Sequence, residues 1–196
     1  MKFSAVILAG GKSSRMGRDK AMLEIGGQTL LARQIQLARE TGASEVFISG
    51  RANVDYSMFG CRVVQDRFPG VGPLAGIERA FDSLTRAQLL VLAVDLPQMG
   101  AELLHQLAAA CSETRGAIPK LANVLEPLAA FYPKSAHTLA ATQIAGGHFA
   151  AKDFARLCVQ SGLARIIEMP AEAARHFANW NSPADFHLSG STGANG

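Results

Sequence analysis

The stretch Phe3-Ser4-Ala5-Val6-Ile7-Leu8, running straight into Ala9-Gly10-Gly11-Lys12-Ser13-Ser14-Arg15-Met16-Gly17-Arg18-Asp19-Lys20-Ala21-Met22-Leu23, decides the fold. A short apolar run ended by a double glycine reads as a strand buried on both faces. Such strands belong to sheets covered by helices on both sides. The rest of the chain repeats the alternation. Residues 29–43 carry apolar residues at Leu30, Leu31, Ile35, Leu37 and Ala38, which is helical spacing, and Gly42 supplies a stop. Residues 45–49 and 62–64 read as short strands, and 73–84 as a helix with Leu74, Ile77, Ala80, Phe81 and Leu84 on one face. A buried strand at 89–94 and a helix at 101–111 follow. Beyond them come a strand at 128–132 ended by Pro133, helices at 135–144 and 150–160, and a late strand at 164–169.

This order implies right-handed βαβ units and an α/β, Rossmann-like three-layer architecture with a mostly parallel, mixed sheet. Residues 1–188 read as one folded unit, and the glycine-rich tail 189–196 as disordered. Hydrophobic residues make up 48% of the chain and charged residues 18%, a globular balance. A net charge of +3 argues neither for nucleic acid nor for an anionic membrane. Cys61, Cys111 and Cys158 are widely spaced and form no CxxC pair, so they read as free thiols of a reducing compartment. The first residues lack a long apolar core with a cleavage site, and no apolar run reaches membrane-spanning length. The expectation is a soluble, cytoplasmic protein.

In open α/β sheets, ligands bind beyond the carboxyl ends of the strands. That rule selects the loops after Leu8, Ser49, Val64 and Val94. In the first of them, glycines let backbone N–H groups approach an anion, serines add hydroxyl donors, and Lys12, Arg15, Arg18 and Lys20 supply cations. A triphosphate calls for this combination. Two commoner phosphate loops are excluded. The P-loop pattern GxxxxGK[ST] fails because Val6 stands at its first glycine, and GxGxxG is absent.

The stretch Leu8 to Leu23 resembles the signature LAGGxSxRMGxDKxxL of the molybdenum cofactor guanylyltransferases, which belong to the Rossmann-like nucleotidyltransferases. The resemblance continues through Gly72-Pro73-Leu74-Ala75-Gly76, Asp95-Leu96-Pro97, the stretch from Pro127 to Tyr132, and Asn179-Trp180-Asn181-Ser182-Pro183. It implies that a phosphate oxygen of molybdopterin attacks the α-phosphate of GTP, with Mg²⁺ bridging phosphates and pyrophosphate leaving. By resemblance, Arg15, Lys20 and Asp95 are catalytic, and Asp95 holds the metal. Leu8, Ala9, Gly10, Gly11, Lys20, Ser49, Asp66, Pro73, Leu74, Gly76 and Asp95 bind the nucleotide. Asp66 is placed to accept from the N1–H and N2–H₂ donors of guanine, and Asn179 and Asn181 lie on the acceptor side.

The family's asparagine near the second strand is missing from Ile48-Ser49-Gly50-Arg51, although Asn53 is close. The acceptor-side loop Gly146-Gly147-His148-Phe149 lacks an expected arginine, which leaves His148 as a candidate donor. Trp180 and His105 read as packing residues. The implied partners are GTP, molybdopterin, and transiently a molybdoenzyme or cofactor-delivery protein, with no nucleic acid and no membrane. The alternatives are a CTP-dependent cytidylyltransferase of the same cofactor, a sugar-phosphate nucleotidyltransferase, and a non-catalytic cofactor-binding module.

Overall fold

The structure is a computed structural model in which residues 1–10, 19–68 and 70–180 are described. Strand β1 (Phe3–Leu8) is buried throughout, and its side chains alternate between two cores. Phe3, Ala5 and Ile7 point into one core, and Val6 and Leu8 into the other. After β1 come a two-residue hairpin, β2 (Glu24–Ile25) and β3 (Gln28–Thr29), and helix α1 (Leu30–Glu40). Thr29 caps α1 by accepting from the Ala32 N–H at 3.1 Å, and the helix ends before Gly42.

Strands β4 (Ala43–Ser49) and β5 (Arg62–Val64) precede helix α2 (Pro73–Ser83), which opens with proline in its first turn. Strand β6 (Gln88–Ala93) and helix α3 (Ala101–Ala109) follow. The remainder is β7 (Gly116–Leu121), β8 (Val124–Leu125), β9 (Ala129–Pro133), α4 (His137–Ala145), α5 (Ala151–Gln160) and β10 (Ala164–Glu168).

The main sheet runs β10-β7-β9-β6-β1-β4-β5, with β8 beside β7. Neighbours β6, β1, β4 and β5 are parallel, and β9 runs against both β6 and β7. Helices α1 and α3 cover one face, while α2, α4 and α5 cover the other, so three layers form. Chain order leaves β1 towards β4 on one side and returns through β6 on the other. The switch point therefore lies between the carboxyl ends of β1 and β6, where a crevice is expected.

Several elements depart from the sequence reading, β2, β3, β7 and β8 among them. Strand β7 was absent from it, because Pro119 and Lys120 interrupt the apolar run. The residues are nonetheless held between β10 and β9, and the Pro119 carbonyl accepts from the Glu126 N–H at 2.9 Å. The β2–β3 hairpin is too short for periodicity to register. The tail 189–196 lies outside the described residues. Among the described residues no helix is long and apolar enough to cross a membrane.

Candidate functional site

At the switch point the backbone closes on itself before any side chain is considered. The Ala9 and Gly10 N–H groups both donate to the Ser49 carbonyl, at 2.8 and 3.0 Å, and the Val94 N–H donates to the Leu8 carbonyl at 3.2 Å. This corrects one expectation. The Ala9 and Gly10 N–H groups join the loop to β4, so they are not free for an anion. Gly11, Lys12, Arg15 and Arg18 lie outside the described residues.

Asp19 Oδ1 accepts from the Ala21 N–H at 3.0 Å and caps a single 3₁₀ turn, Lys20–Met22. That turn aims Lys20 across the crevice. Its Nζ stands 3.1 Å from Asp95 Oδ2, just past the end of β6. Both side chains are partly buried, at 15% and 27% exposure, so their attraction is less screened than that of a surface pair. The pair lies beside a cavity of about 210 Å³ that Leu8, Ala9, Gly10, Lys20, Pro73 and Asp95 help to line. Gly10, Arg51 and Pro73 also border a larger cavity of about 640 Å³, lined in addition by Asn53, Asp66 and Gly72. One crevice thus offers a small charged compartment and a larger, more apolar one.

Asp66 sits at the wall of the larger cavity, and burial pushes its carboxyl above the usual carboxylate range. Ser49 Oγ donates to Asp66 Oδ1 at 3.3 Å, which favours the charged form, while Glu78 disfavours it. Ser49 is buried and lines neither cavity. Its contact with the cavity wall runs through Asp66. Gly76 lies behind both: a Cβ there would fall 2.2 Å from Ser49 Oγ and 3.2 Å from Asp66 Oδ1. Leu74 is fully buried in the core and supports the wall from beneath.

Asn179 is exposed, and Asn181 lies outside the described residues. Between them Trp180 is buried, as expected of a packing residue, and its N–H donates to the Asp95 carbonyl at 3.0 Å. His105 is exposed on α3, so it does not pack as expected. His148 is exposed and lines neither cavity.

Sequence reasoning missed Arg51, which borders both cavities, and Tyr56, whose hydroxyl meets Asp19 and the Arg51 backbone. Nothing in their local sequence marks them, because both sit in a loop without periodicity. Among the described residues, Glu78, Asp82 and His137 form a group of metal-ligand type, their ligand atoms all within 4.8 Å of one another. Arg67 and Arg79 pair with the same carboxylates, so the group reads as a charge-balanced ion network between α2 and α4.

The profile of the MobA-like NTP transferase domain matches residues 5–162. The chain belongs to the MobA-like NTP transferase family. It is a nucleotidyltransferase. Members of this family among its relatives include an Opitutus terrae protein named "Probable molybdenum cofactor guanylyltransferase", 39% identical over 93% of this chain and 92% of its own. A Rhizobium meliloti "Molybdenum cofactor guanylyltransferase" is 42% identical over 66% of this chain and 62% of its own. Among solved structures, "Molybdopterin-guanine dinucleotide biosynthesis protein A" of Archaeoglobus fulgidus superposes with a TM-score of 0.70 at 24% identity, covering 96% of each chain. A 2-C-methyl-D-erythritol 4-phosphate cytidylyltransferase of Thermus thermophilus gives 0.73 at 18% identity, covering 95% of this chain and 96% of that one. Both structural likenesses speak for the fold alone, the Rossmann-like nucleotidyltransferase fold.

Proposed function

We propose that the chain transfers GMP from GTP to the phosphate of molybdenum-bound molybdopterin, releasing pyrophosphate and forming molybdopterin guanine dinucleotide. The observation that carries this reading is the Lys20–Asp95 pair at 3.1 Å in the small compartment, with Asp66 at the wall of the adjoining larger one. The two compartments suit a nucleotide whose phosphates lie beside Lys20 and whose base lies toward Asp66. The names of the relatives supply the substrate class.

A phosphate oxygen of molybdopterin attacks the α-phosphorus of GTP. The bond from that phosphorus to the β-phosphate oxygen breaks, and pyrophosphate departs with the electron pair. Catalysis of this kind is positioning and charge neutralisation. Lys20 neutralises phosphate charge, and Arg15 does so on the leaving β- and γ-phosphates. Asp66 accepts from the guanine edge, while Gly10 and Pro73 shape the floor, and Gly11 is assigned to nucleotide binding. Asn179 and Asn181 are assigned to acceptor binding.

The donor set at Asp95 fits Mg²⁺, which takes one or two carboxylates, keeps waters and is completed by substrate phosphates. Asp95 is a partly exposed hard-oxygen ligand beside the phosphate compartment. When bound there, Mg²⁺ would stabilise negative charge on the phosphates. The Glu78–Asp82–His137 group lines neither compartment, so it offers no ligand beside the phosphates there. Cytoplasmic action and transient transfer of product to a molybdoenzyme or delivery protein belong to the same proposal.

The test is calorimetric binding of GTP, CTP and ATP with Mg²⁺, followed by turnover of each with molybdenum-loaded molybdopterin. The expected order puts GTP first in both. Faster CTP turnover would reject guanylyl transfer in favour of cytidylyl transfer. Pyrophosphate release with a sugar 1-phosphate but not with molybdopterin would reject the acceptor. Nucleotide binding without turnover of any substrate would leave only a binding module.

A further inference from the structure

We infer that Tyr56 is a positioning residue that sets the Lys20 ammonium, acting through the Asp19 carboxylate. Tyr56 lies in the loop between β4 and β5, is 2% exposed, and holds its ring against the inner core rather than toward solvent. Its hydroxyl donates to Asp19 Oδ2 at 2.9 Å and accepts from the Arg51 N–H at 3.2 Å. The other carboxylate oxygen of Asp19 takes the Ala21 N–H at 3.0 Å. Asp19 is therefore held through both oxygens, one tied to the turn that carries Lys20 and the other to a loop beyond β4. The residue it immediately precedes is the one that reaches Asp95.

Two further observations support a built device. Gly50 has no room for a side chain: a Cβ would lie 2.3 Å from Tyr56 Cε2, so the ring rests on the Gly50 backbone. Gly50 and Arg51 both line the larger cavity, so the ring also fixes that wall. Burial pushes the phenol up to about 12, which keeps its proton available to Asp19 at any ordinary pH. A hydrogen bond from a neutral donor to a carboxylate is stronger than one between neutral groups, and it has a narrow geometry. Losing it frees the 19–22 turn to shift, and an ammonium displaced from the developing charge loses much of its effect.

The inference rests on the reading of Lys20 as the phosphate cation, and the experiment separates the two. Wild type, Tyr56→Phe, Asp19→Asn and the double variant are treated with a water-soluble acylating ester, and labelling is quantified by peptide mass spectrometry. Tyr56→Phe keeps the ring and its packing. It should raise labelling of Lys20 by about threefold or more, as local opening permits, with labelling of the exposed Lys134 and Lys152 unchanged. The double variant should label Lys20 no faster than the faster single variant, because both break one link. In parallel, Tyr56→Phe should lower kcat for the GTP reaction about tenfold while KM for GTP moves much less. Unchanged Lys20 labelling, or an equal rise at all three lysines, overturns the inference whatever the turnover shows. A selective rise in Lys20 labelling with unchanged kcat upholds the Tyr56–Asp19 link and counts instead against Lys20 as the phosphate cation.

Discussion

The Lys20 ammonium lies 3.1 Å from the Asp95 carboxylate although 75 positions of chain separate them. One member closes the loop after β1 and the other begins the loop after β6, so the pair forms only when those strands are neighbours. In the proposed reaction the two groups do different work. Asp95→Ala should abolish Mg²⁺-dependent turnover while circular dichroism and the melting temperature stay near wild type, since the side chain is partly exposed and outside the core. Unchanged activity in that variant would remove the metal assignment.

Lys20→Ala should lower kcat by about 10²–10³-fold, the loss typical of removing one positioned electrostatic stabiliser. Arg18→Ala should cost far less. Steady-state kinetics on the two purified variants checks this division, and equal losses would contradict it.

Gly76→Ala should weaken GTP binding and cost about 1–3 kcal/mol of stability, because the new methyl overlaps Ser49 Oγ. Adding Ser49→Gly should restore most of the stability, because it removes the group that collides. Chemical denaturation of both singles and the double gives the coupling. Additive losses would show that the collision relaxes elsewhere.

Asp66 carries a pH signature. Burial raises its carboxyl above the ordinary 3.8, so between that value and the raised one the folded chain binds more protons than the unfolded chain. Stability from this group therefore falls as pH rises through that window. GTP affinity should move the opposite way, because only the ionised carboxylate accepts from the N1–H and N2–H₂ donors of guanine through both oxygens. Calorimetry from about pH 4 upward should show affinity growing with pH, its midpoint above that of an ordinary aspartate. The dependence should vanish in Asp66→Asn.

Phe154 tests the layer that α5 adds. It is fully buried, and its ring centroid is 5.0 Å from that of Tyr132 on β9. Phe154→Ala should lower unfolding free energy by about 3–5 kcal/mol. A loss within experimental error in a denaturant titration would mean that the layer repacks freely.

Much of this architecture is legible in the sequence because burial on both faces leaves a clear mark. Phe3–Leu8 and Arg62–Val64 coincide with the expected strands, and α2 begins at the expected Pro73. Where the mark fades, so does the reading. Strand β7 hides behind Pro119 and Lys120, since propensity opposes the tertiary pairing that holds them. The expected helix at 29–43 ends instead at Glu40, and Ala43 already belongs to β4. At the site, motif residues such as Lys20 and Asp95 were visible because type and spacing coincide. Ser49 is visible too, but its hydrogen bond to Asp66 is not, since such a bond leaves no pattern along the chain. Tyr56 left none either: its partner Asp19 lies 37 positions away.

The bond from the Trp180 N–H to the Asp95 carbonyl has a consequence for the order in which the protein is made. Strands β1, β4, β5 and β6 leave the ribosome early and can lay down the parallel half of the sheet. The backbone at Asp95 acquires this last support only after Trp180 has emerged. A nascent chain halted short of Trp180 would hold the nucleotide motif with the Asp95 carbonyl lacking this donor. This one bond therefore forms only when nearly all of the surrounding fold has been made.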